Sequence, residues 1–173
     1  MSTSTTSNSF TDQRGKPSNR AADTASGQYL TLRLGSEEYA IDILQVQEIR
    51  SYEEPISMVN SPSFIKGVIN LRGVIVPIVD LRMKLNIDQV EYNDFTVVII
   101  LNVHGSVIGA VVDSVSDVVT LDSRIIRPAP QFESSIDARF IVGLANLENR
   151  MLIVMNMDSL LSNAELGMVS TYA

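Results

Sequence analysis

The chain has 173 residues, of which 45% are hydrophobic and 19% charged, with no cysteine and a formal net charge of −7. A chain of this length can bury a full hydrophobic core, and the lack of cysteine excludes disulfides, thiolate metal sites and thiol nucleophiles. From residue 28 onward, ten basic and eighteen acidic residues leave a net charge of −8, which disfavours binding to nucleic acid or to an anionic membrane surface.

Residues 1–27 are predicted to form a disordered leader. They are dominated by Ser, Thr, Asn, Asp and Gly, with Phe10 as the one large apolar side chain. Such a segment cannot bury enough area to offset the entropy lost on ordering, and a docking peptide is the alternative. No apolar run approaches the roughly 18 residues of a membrane span, and the N-terminus lacks the apolar core of a secretion signal. We therefore expect a cytoplasmic protein without membrane insertion.

Two alternating segments predict a β-hairpin at the start of the ordered part. Leucines alternate with polar residues over 28–34, and apolar residues alternate again over 39–43. A period of two is the pattern of a half-buried strand, and the intervening Gly35-Ser36 is typical of a turn.

Residues 44–50 (LQVQEIR) are predicted to form one or two turns of helix. Gln, Glu and Leu favour helix, and Val46 and Ile49 are three residues apart, as one helical face requires. Glu48 would then project from this helix near the edge of the core.

The stretch from Phe64 to Leu85 holds two apolar runs separated by a polar turn around Arg72-Gly73. It predicts a β-hairpin whose strands are covered on both faces, with Asp80 capping a short helix after it. Pro77 cannot donate to a ladder, so its strand is expected to lie at an edge or to carry a bulge. Arg72 is either a cation held at a fixed place on a rigid apolar support or a solvated turn residue.

The second half of the chain is also predicted to be rich in strands. Apolar and β-branched residues predict strands over 96–103, 107–112 and 115–121, followed by a Pro-rich loop over 127–137. A last hairpin is expected over 140–156, and Asp158 is expected to cap a terminal helix. Many short strands with little helix predict an all-β fold, with two small barrels packed together preferred to a single sandwich.

No catalytic, metal or cofactor site is predicted. His104 is the single histidine, and the sequence has neither a GxSxG elbow nor a Gly-rich phosphate loop. A metal would therefore depend on carboxylates, which form no dense cluster in the sequence. Asp113 and Asp117 could be paired carboxylates, but Asp is also a common turn residue, and we favour that interpretation. The residues alone indicate a binding module, not an enzyme.

Several separate motifs, in order, resemble the bacterial chemotaxis coupling protein family, CheW. They are TLRLGSEEYAIDILQVQEIR, FIKGVINLRGVIVPIVDLR, YNDFTVVIIL, GAVVDSVSDVV, IRPAP and RMLIVMNMDSLL. The similarity runs from about Gln28 to Leu166 without an obvious gap. It implies two five-stranded, SH3-like barrels, the first over about 28–90 and the second over about 91–157, closed by a C-terminal helix over about 158–170.

The resemblance also implies partners and a place in the cell. Members of this family are non-catalytic adaptors without a cofactor. They connect the helical-hairpin tips of chemoreceptors to the regulatory domain of the histidine kinase CheA, in arrays beneath the inner membrane. The receptor tip would lie in the groove between the two barrels.

The resemblance assigns roles to seven positions. Residues matching positions associated with receptor binding or coupling are Val46, Glu48, Arg72, Val97 and Val118. Gly67 and Gly143 match positions associated with the kinase contact, where Gly permits either a close backbone approach or a special φ/ψ. Glu48 and Arg72 are expected to approach each other and to present a fixed charge pattern to the receptor. The loop with Pro55 departs from the expected pattern and is given no role.

Two alternatives remain open at the level of sequence. One is a CheW-like scaffold of a chemosensory pathway unrelated to motility. The other is a non-catalytic regulatory subdomain of a signalling enzyme. The sequence does not identify the receptors or the stimuli that they sense.

Overall fold

The computed structural model describes residues 26–87, 90–128 and 137–167. Within these ranges the chain is mostly β, with short helical turns. The strands are β1 (Ser26–Leu34), β2 (Glu37–Asp42), β3 (Val46–Ser51), β4 (Ile65–Leu71), β5 (Val74–Asp80), β6 (Val97–Val103), β7 (Ser106–Val112), β8 (Ser114–Asp122), β9 (Ile126–Arg127), β10 (Ile141–Leu147) and β11 (Arg150–Met155). The α-helices are α1 (Leu81–Lys84), α2 (Met157–Leu160) and α3 (Asn163–Leu166), and 3-10 turns span Ile43–Gln45 and Ala138–Phe140.

The strands form two sheets, which confirms the predicted all-β class with two packed barrels. One sheet has five strands in the order β3-β6-β7-β5-β4, and the other has six in the order β8-β1-β2-β11-β10-β9. The sixth strand, β9, has only two residues. Neighbouring strands are antiparallel except for the pairs β5–β7 and β11–β2, which are parallel.

The expected division into a first barrel over 28–90 and a second over 91–157 is wrong. The hairpin β1–β2 pairs with β8 and β11 from the far end of the chain, whereas β6–β7 pairs with β3 and β5. The chain therefore crosses between the sheets twice, after β2 and again after β7. Counting hairpins along the sequence cannot show this, because the missing information is which later strand completes each edge.

The two sheets repeat one arrangement. In each, a hairpin (β6–β7 or β1–β2) has one outer neighbour that arrives from a crossing, β3 or β8. The second strand of that hairpin runs parallel to the second strand of another hairpin, β4–β5 or β10–β11. After β2 the chain leaves the six-stranded sheet and adds β3 to the other sheet, and after β7 it leaves the five-stranded sheet and adds β8 to the first. We call β3 and β8 the exchanged strands.

Each sheet curls into a small barrel. The buried apolar side chains form three clusters, one inside each barrel and one in the layer between the two sheets. On β6, Val98 and Ile100 face the interior of the five-stranded barrel, while Ile99 and Leu101 face the layer between the sheets. The six-stranded barrel has its own cluster around Leu152 and other side chains. Because β6 is buried on both faces, its apolar run is continuous. The central hairpin, predicted to be covered on both faces, is so only in part, since Val74 and Ile75 are exposed at the start of β5.

A buried ionic network joins the two sheets. Arg82 is 1% exposed, and its Nε and Nη2 donate to the two carboxylate oxygens of Asp80 at 2.9 Å each. Its Nη1 donates to Asp113 at 2.7 Å and to the backbone carbonyl of Glu91 at 2.6 Å. Asp113 lies between β7 and β8, and its other carboxylate oxygen accepts from the backbone N–H of Gly35 at 2.7 Å. The network therefore fixes one crossing against the β1–β2 turn.

The network is complete enough to keep Asp80 charged. Burial alone would raise the pKa of Asp80, but hydrogen bonds from Arg82 and from the Tyr92 hydroxyl outweigh it and lower the pKa. For Arg82, burial disfavours the cation, yet the bonds to Asp80 and Asp113 raise the net pKa. Asp80 also caps α1 by accepting from the Arg82 N–H, which confirms the predicted cap.

The predicted helix over 44–50 is wrong. A 3-10 turn ends at Gln45, and the chain continues as β3, which pairs along β6. Along β3 the residues alternate between half-buried and exposed, as in a strand with one covered face. Pairing with an apolar partner strand outweighs the weak helix preference of Gln, Glu and Leu.

The expectation for Pro77 needs a correction, since β5 is an interior strand and not an edge. Its parallel pairing with β7, however, spans only Ile78–Asp80. At Pro77 the strand has one neighbour, so the missing N–H costs no ladder bond on that side. A register shift between Ile65 and Gly67 on the paired strand β4 lies directly beyond it.

The terminal helix also differs from the prediction. Asn156, not Asp158, caps α2, because its side chain accepts from the Ser159 N–H. Up to residue 167, the expected helix over 158–170 is two single turns, α2 and α3. The first strand begins at Ser26, so residues 26 and 27 of the predicted leader over 1–27 belong to β1. The rest of that leader and most of the Pro-rich loop lie outside the described residues. In the described ranges no helix is long and apolar enough to cross a membrane.

Replacing Arg82 should destabilise the fold strongly. The substitution Arg82→Ala leaves buried Asp80 without its cation, and removing one partner of a buried pair costs about 3–5 kcal/mol. Urea unfolding followed by circular dichroism measures this loss. The matched control is Arg124→Ala, which removes an arginine also two residues after its aspartate, Asp122, but with a side chain 86% exposed. The control should keep the wild-type midpoint, and equal losses in the two variants would contradict the role assigned to the network.

Candidate functional site

Glu48 and Arg72 form an ion pair at the surface of the five-stranded sheet. The Nη2 of Arg72 donates to Oε1 of Glu48 at 2.6 Å, and the two side chains are 70% and 26% exposed. Their predicted approach is confirmed, although Glu48 leaves a strand and not a helix. A register shift of β3 against β6 falls between Val46 and Glu48 and directs the carboxylate toward the neighbouring turn.

The backbone around Arg72 holds the pair in place. Arg72 and Gly73 are the two loop residues of the β4–β5 hairpin, and both have positive φ, 50° and 89°. This matches the twist of the flanking strands and is typical of a two-residue hairpin. The N–H of Gly73 donates to the Asn70 side chain at 2.8 Å, which closes the turn. The guanidinium therefore stands on a rigid support.

A second arginine, Arg50, helps to stabilise the charged form of Glu48. The Nη1 of Arg50 lies 3.4 Å from the other carboxylate oxygen of Glu48. The hydrogen bond from Arg72 is the largest influence on the carboxyl group, and it outweighs partial desolvation, so the pKa of Glu48 is lowered. The group is thus a carboxylate over the whole physiological range, held between two cations.

Exposed apolar residues lie next to the pair along the chain. Ile49 follows Glu48 on β3, and Val74 and Ile75 follow the Arg72 turn on β5; all three are exposed. Apolar area with a fixed charge pattern is the composition of a protein-binding surface, in which the charges set specificity. We call Glu48, Ile49, Arg72 and Ile75 the charged surface.

The other three positions predicted to bind the receptor are distributed over both sheets. Val46 on β3 and Val97 on β6 are partly buried and pack against the cluster between the sheets. Val118 is exposed on β8, in the six-stranded sheet. The structure therefore brings Glu48 and Arg72 into contact, places Val46 and Val97 against one common core, and puts Val118 on the other sheet.

Gly67 and Gly143 are buried and have equivalent positions in the hairpins β4–β5 and β10–β11. A Cβ on Gly67 would overlap the carbonyl of Ile56, and one on Gly143 would overlap the carbonyl of Arg127. Neither glycine offers a surface of its own. Any effect on a partner would pass through the backbone that approaches it, which at Gly67 belongs to the segment with exposed Ile56.

The acidic residues considered for chemistry are separate. Asp113 belongs to the buried network, whereas Asp117 bonds to Thr31 and Arg150. His104 lies in the exposed β6–β7 turn, with Nε2 3.7 Å from Asp158. Over the residues that the structure describes, no group of three or more His, Cys, Asp and Glu could hold a metal ion.

Sequence reasoning missed the exposed residues of this region. Ile75 lies in a wholly apolar run, and such a run gives no sign of which end emerges from the core. Arg50 was placed on a helix, where it would not have pointed at Glu48. The D-x-R spacing recurs at Asp80, Asp122 and Asp137, and in each case Nε and Nη2 of the arginine donate to the aspartate. This spacing is therefore a signal that could have located Arg82.

Comparison with known proteins gives consistent results. The family described as the CheW-like domain matches residues 28–165. The chemotaxis protein CheW of Klebsiella aerogenes is 49% identical over 153 residues, covering 88% of this chain and 92% of that protein. That of Bacillus subtilis is 33% identical, covering 76% and 85%. The crystal structure of the scaffolding protein TtCheW from Thermoanaerobacter tengcongensis aligns with a TM-score of 0.74 at 30% identity, covering 79% of this chain and 92% of that one.

The titration of Glu48 should depend on Arg72. The bond from Arg72 lowers the pKa of Glu48 in the folded protein. The ion pair is therefore intact at any pH above the usual pKa of Glu, and it is lost only as the pH falls through the lower pKa of the folded state. Replacing Arg72 by Ala should raise the pKa of Glu48, and Arg50→Ala should raise it less. The pKa of Glu48 in the wild type and in the two variants is measured from its carboxyl chemical shift, followed by NMR from neutral to acid pH. An unchanged Glu48 midpoint in Arg72→Ala would mean that the pair does not persist in solution.

Proposed function

The chain belongs to the CheW family, and we propose that it is a chemotaxis adaptor that connects the histidine kinase CheA to the cytoplasmic tips of chemoreceptors. The observation that carries the proposal is the charged surface, where a strand and a tight turn fix an ion pair and exposed isoleucines adjoin it along the chain. Such a surface suits a rigid helical partner, because apolar contacts supply affinity and fixed charges set the register.

The kinase contact is assigned to the two glycine-centred hairpins. Their equivalent bulges at Gly67 and Gly143 are each covered by another backbone segment, and Ile56 and Val142 beside them are exposed. These exposed side chains, not the glycines, are the candidates for direct contact. A larger residue at either glycine would displace the covering segment and change the contact indirectly.

The adaptor acts without catalysis in this proposal. Its effect on the kinase comes from assembly, since a partner that binds two states of a kinase unequally shifts their populations. The protein works in the cytoplasm, at receptor arrays beneath the inner membrane, and needs no cofactor.

Reconstitution tests the proposal. We expect a ternary complex of the purified protein, the regulatory domain of CheA and a receptor cytoplasmic hairpin. The regulatory domain and the hairpin should co-purify when the protein is present and should not do so when it is left out. With full-length CheA in place of its regulatory domain, the complex should raise kinase autophosphorylation above that of the kinase alone. Failure to bind either component, or hydrolysis of ATP by the protein alone, would overturn the proposal.

Reversing the charge of Arg72 should separate recognition from folding. The substitution Arg72→Glu should weaken binding of the receptor hairpin about tenfold or more, because misplaced charge at an interface is strongly disfavoured. The thermal midpoint should change little, since the guanidinium is largely exposed. Arg72→Ala should weaken binding less. The measurements are a binding titration and a melting curve for each variant.

Two further variants make the test specific. The double swap Glu48→Arg with Arg72→Glu restores an internal pair but shows the partner reversed charges, so binding should stay weak. Arg124→Glu reverses an exposed charge in the turn after β8 and should bind as the wild type does. Full rescue by the double swap would make the pair purely structural, and normal binding by Arg72→Glu would make Arg72 a solvated turn residue.

A further inference from the structure

A second acid–arginine pair lies at the equivalent place in the six-stranded sheet. The exchanged strands β3 and β8 each carry a register shift, next to Glu48 in β3 and between Val115 and Val118 in β8. Asp117 lies within the second shift. Arg72 belongs to the turn of one hairpin, and Arg150 follows the turn of its counterpart. Asp117 and Arg150 therefore repeat the arrangement of the charged surface.

The second pair is fastened much more firmly than the first. The Nε and Nη2 of Arg150 donate to the two carboxylate oxygens of Glu38 at 3.1 and 2.8 Å. Its Nη1 and Nη2 donate to those of Asp117 at 3.2 and 3.0 Å. The side chain is 30% exposed, against 70% for Arg72. An arginine held by two bidentate carboxylates has little freedom to meet a partner.

A buried hydroxyl completes the second pair. Thr31 is 0% exposed, and its Oγ1 donates to the Asp117 side chain while accepting from the Asp117 N–H at 3.1 Å. The four residues come from the adjacent strands β8, β1, β2 and β11. We call Thr31, Glu38, Asp117 and Arg150 the four-strand clamp. It fastens the bulge of β8 to the body of its sheet.

The clamp ends directly beside an exposed residue with an expected role. Val118 follows Asp117, and β8 stands at the end of the sheet order, where β1 is its one neighbour among the described strands. A bulged strand at a sheet edge has few ladder bonds to define its position. The side chains of the clamp supply that definition, and the bond from Arg150 is also the main cause of the lowered pKa of Asp117.

We propose that Arg150 is a positioning residue that, through Asp117, holds the bulge of β8 so that Val118 stands at a fixed place for the receptor tip. This rests on the proposed function, because Val118 matters only if the receptor lies between the sheets. The two equivalent pairs then have different roles: the exposed one meets the partner, and the clamped one shapes the surface.

The test compares Arg150→Met, which keeps the apolar stem and removes the charge, with Arg150→Lys, which keeps the charge. Arg150→Met should weaken binding of the receptor hairpin about three- to tenfold, a range typical of residues that act through a neighbour. Arg150→Lys should recover part of the loss. Amide hydrogen exchange at 117–119 should be faster in Arg150→Met, while exchange in β6 stays as in the wild type.

Double variants distinguish positioning from general destabilisation. The double variant Arg150→Met with Val118→Ala should bind the receptor hairpin no more weakly than the weaker-binding of the two single variants. The reason is that both substitutions remove the same contact, that of Val118 with the receptor. Combined with Arg72→Ala, the losses should multiply. Wild-type binding by Arg150→Met, or losses that multiply with Val118→Ala, would overturn the inference.

The outcomes also separate this inference from the proposed function. If the wild type does not bind the hairpin, the proposed function fails, and the role of Val118 as a contact fails with it. If the wild type binds but exchange at 117–119 is unchanged in Arg150→Met, the clamp alone is refuted.

Discussion

The fold depends on the buried guanidinium of Arg82. It satisfies Asp80, Asp113 and the carbonyl of Glu91, and so joins the end of β5 to the crossing from β7 to β8. A buried cation is costly unless it is paired and hydrogen-bonded, and here Arg82 makes four side-chain hydrogen bonds, two of them bidentate to Asp80. The apolar layer between the sheets is non-directional, so it can hold them together without fixing their angle. The ionic network supplies the direction, because its bonds run from the end of β5 through Asp113 to the β1–β2 turn.

The exchanged strands explain why the candidate surfaces lie where they do. Both β3 and β8 stand at an end of a sheet order, where a strand can carry a bulge and an outward charge without disturbing neighbours on two sides. The same features protect an edge, because a bulge and charged side chains discourage pairing with a foreign strand. The surface proposed to bind a helical partner thus also has features that discourage pairing with a foreign strand.

The sequence predicted local structure well where turn chemistry and alternation agree. The hairpins β1–β2, β4–β5 and β10–β11 have clear turns between apolar segments, and the cap at Asp80 follows a strand directly. Residues 44–50 failed because their local preference is weak and β6 decides their conformation. The clamp around Arg150 left no sign in the sequence, since its four residues lie on strands far apart in the chain and ion pairs have no period. The approach of Glu48 to Arg72 came from the family resemblance, not from the pattern of residues.

The exchange of strands also sets an order of events during synthesis. All five strands of one sheet, β3 to β7, lie between residues 46 and 112 and can pair as soon as that span is available. The hairpin β1–β2 is made first, yet both of its neighbours, β8 and β11, are made after residue 113. During synthesis, the apolar side chains and unpaired edges of this hairpin therefore stay exposed until β8 and β11 have been translated. Pairing between strands so far apart in the chain is slow, and the exposed segments are prone to aggregation in the meantime. The earliest strands of the two sheets to be translated are therefore among the last to be paired on both sides.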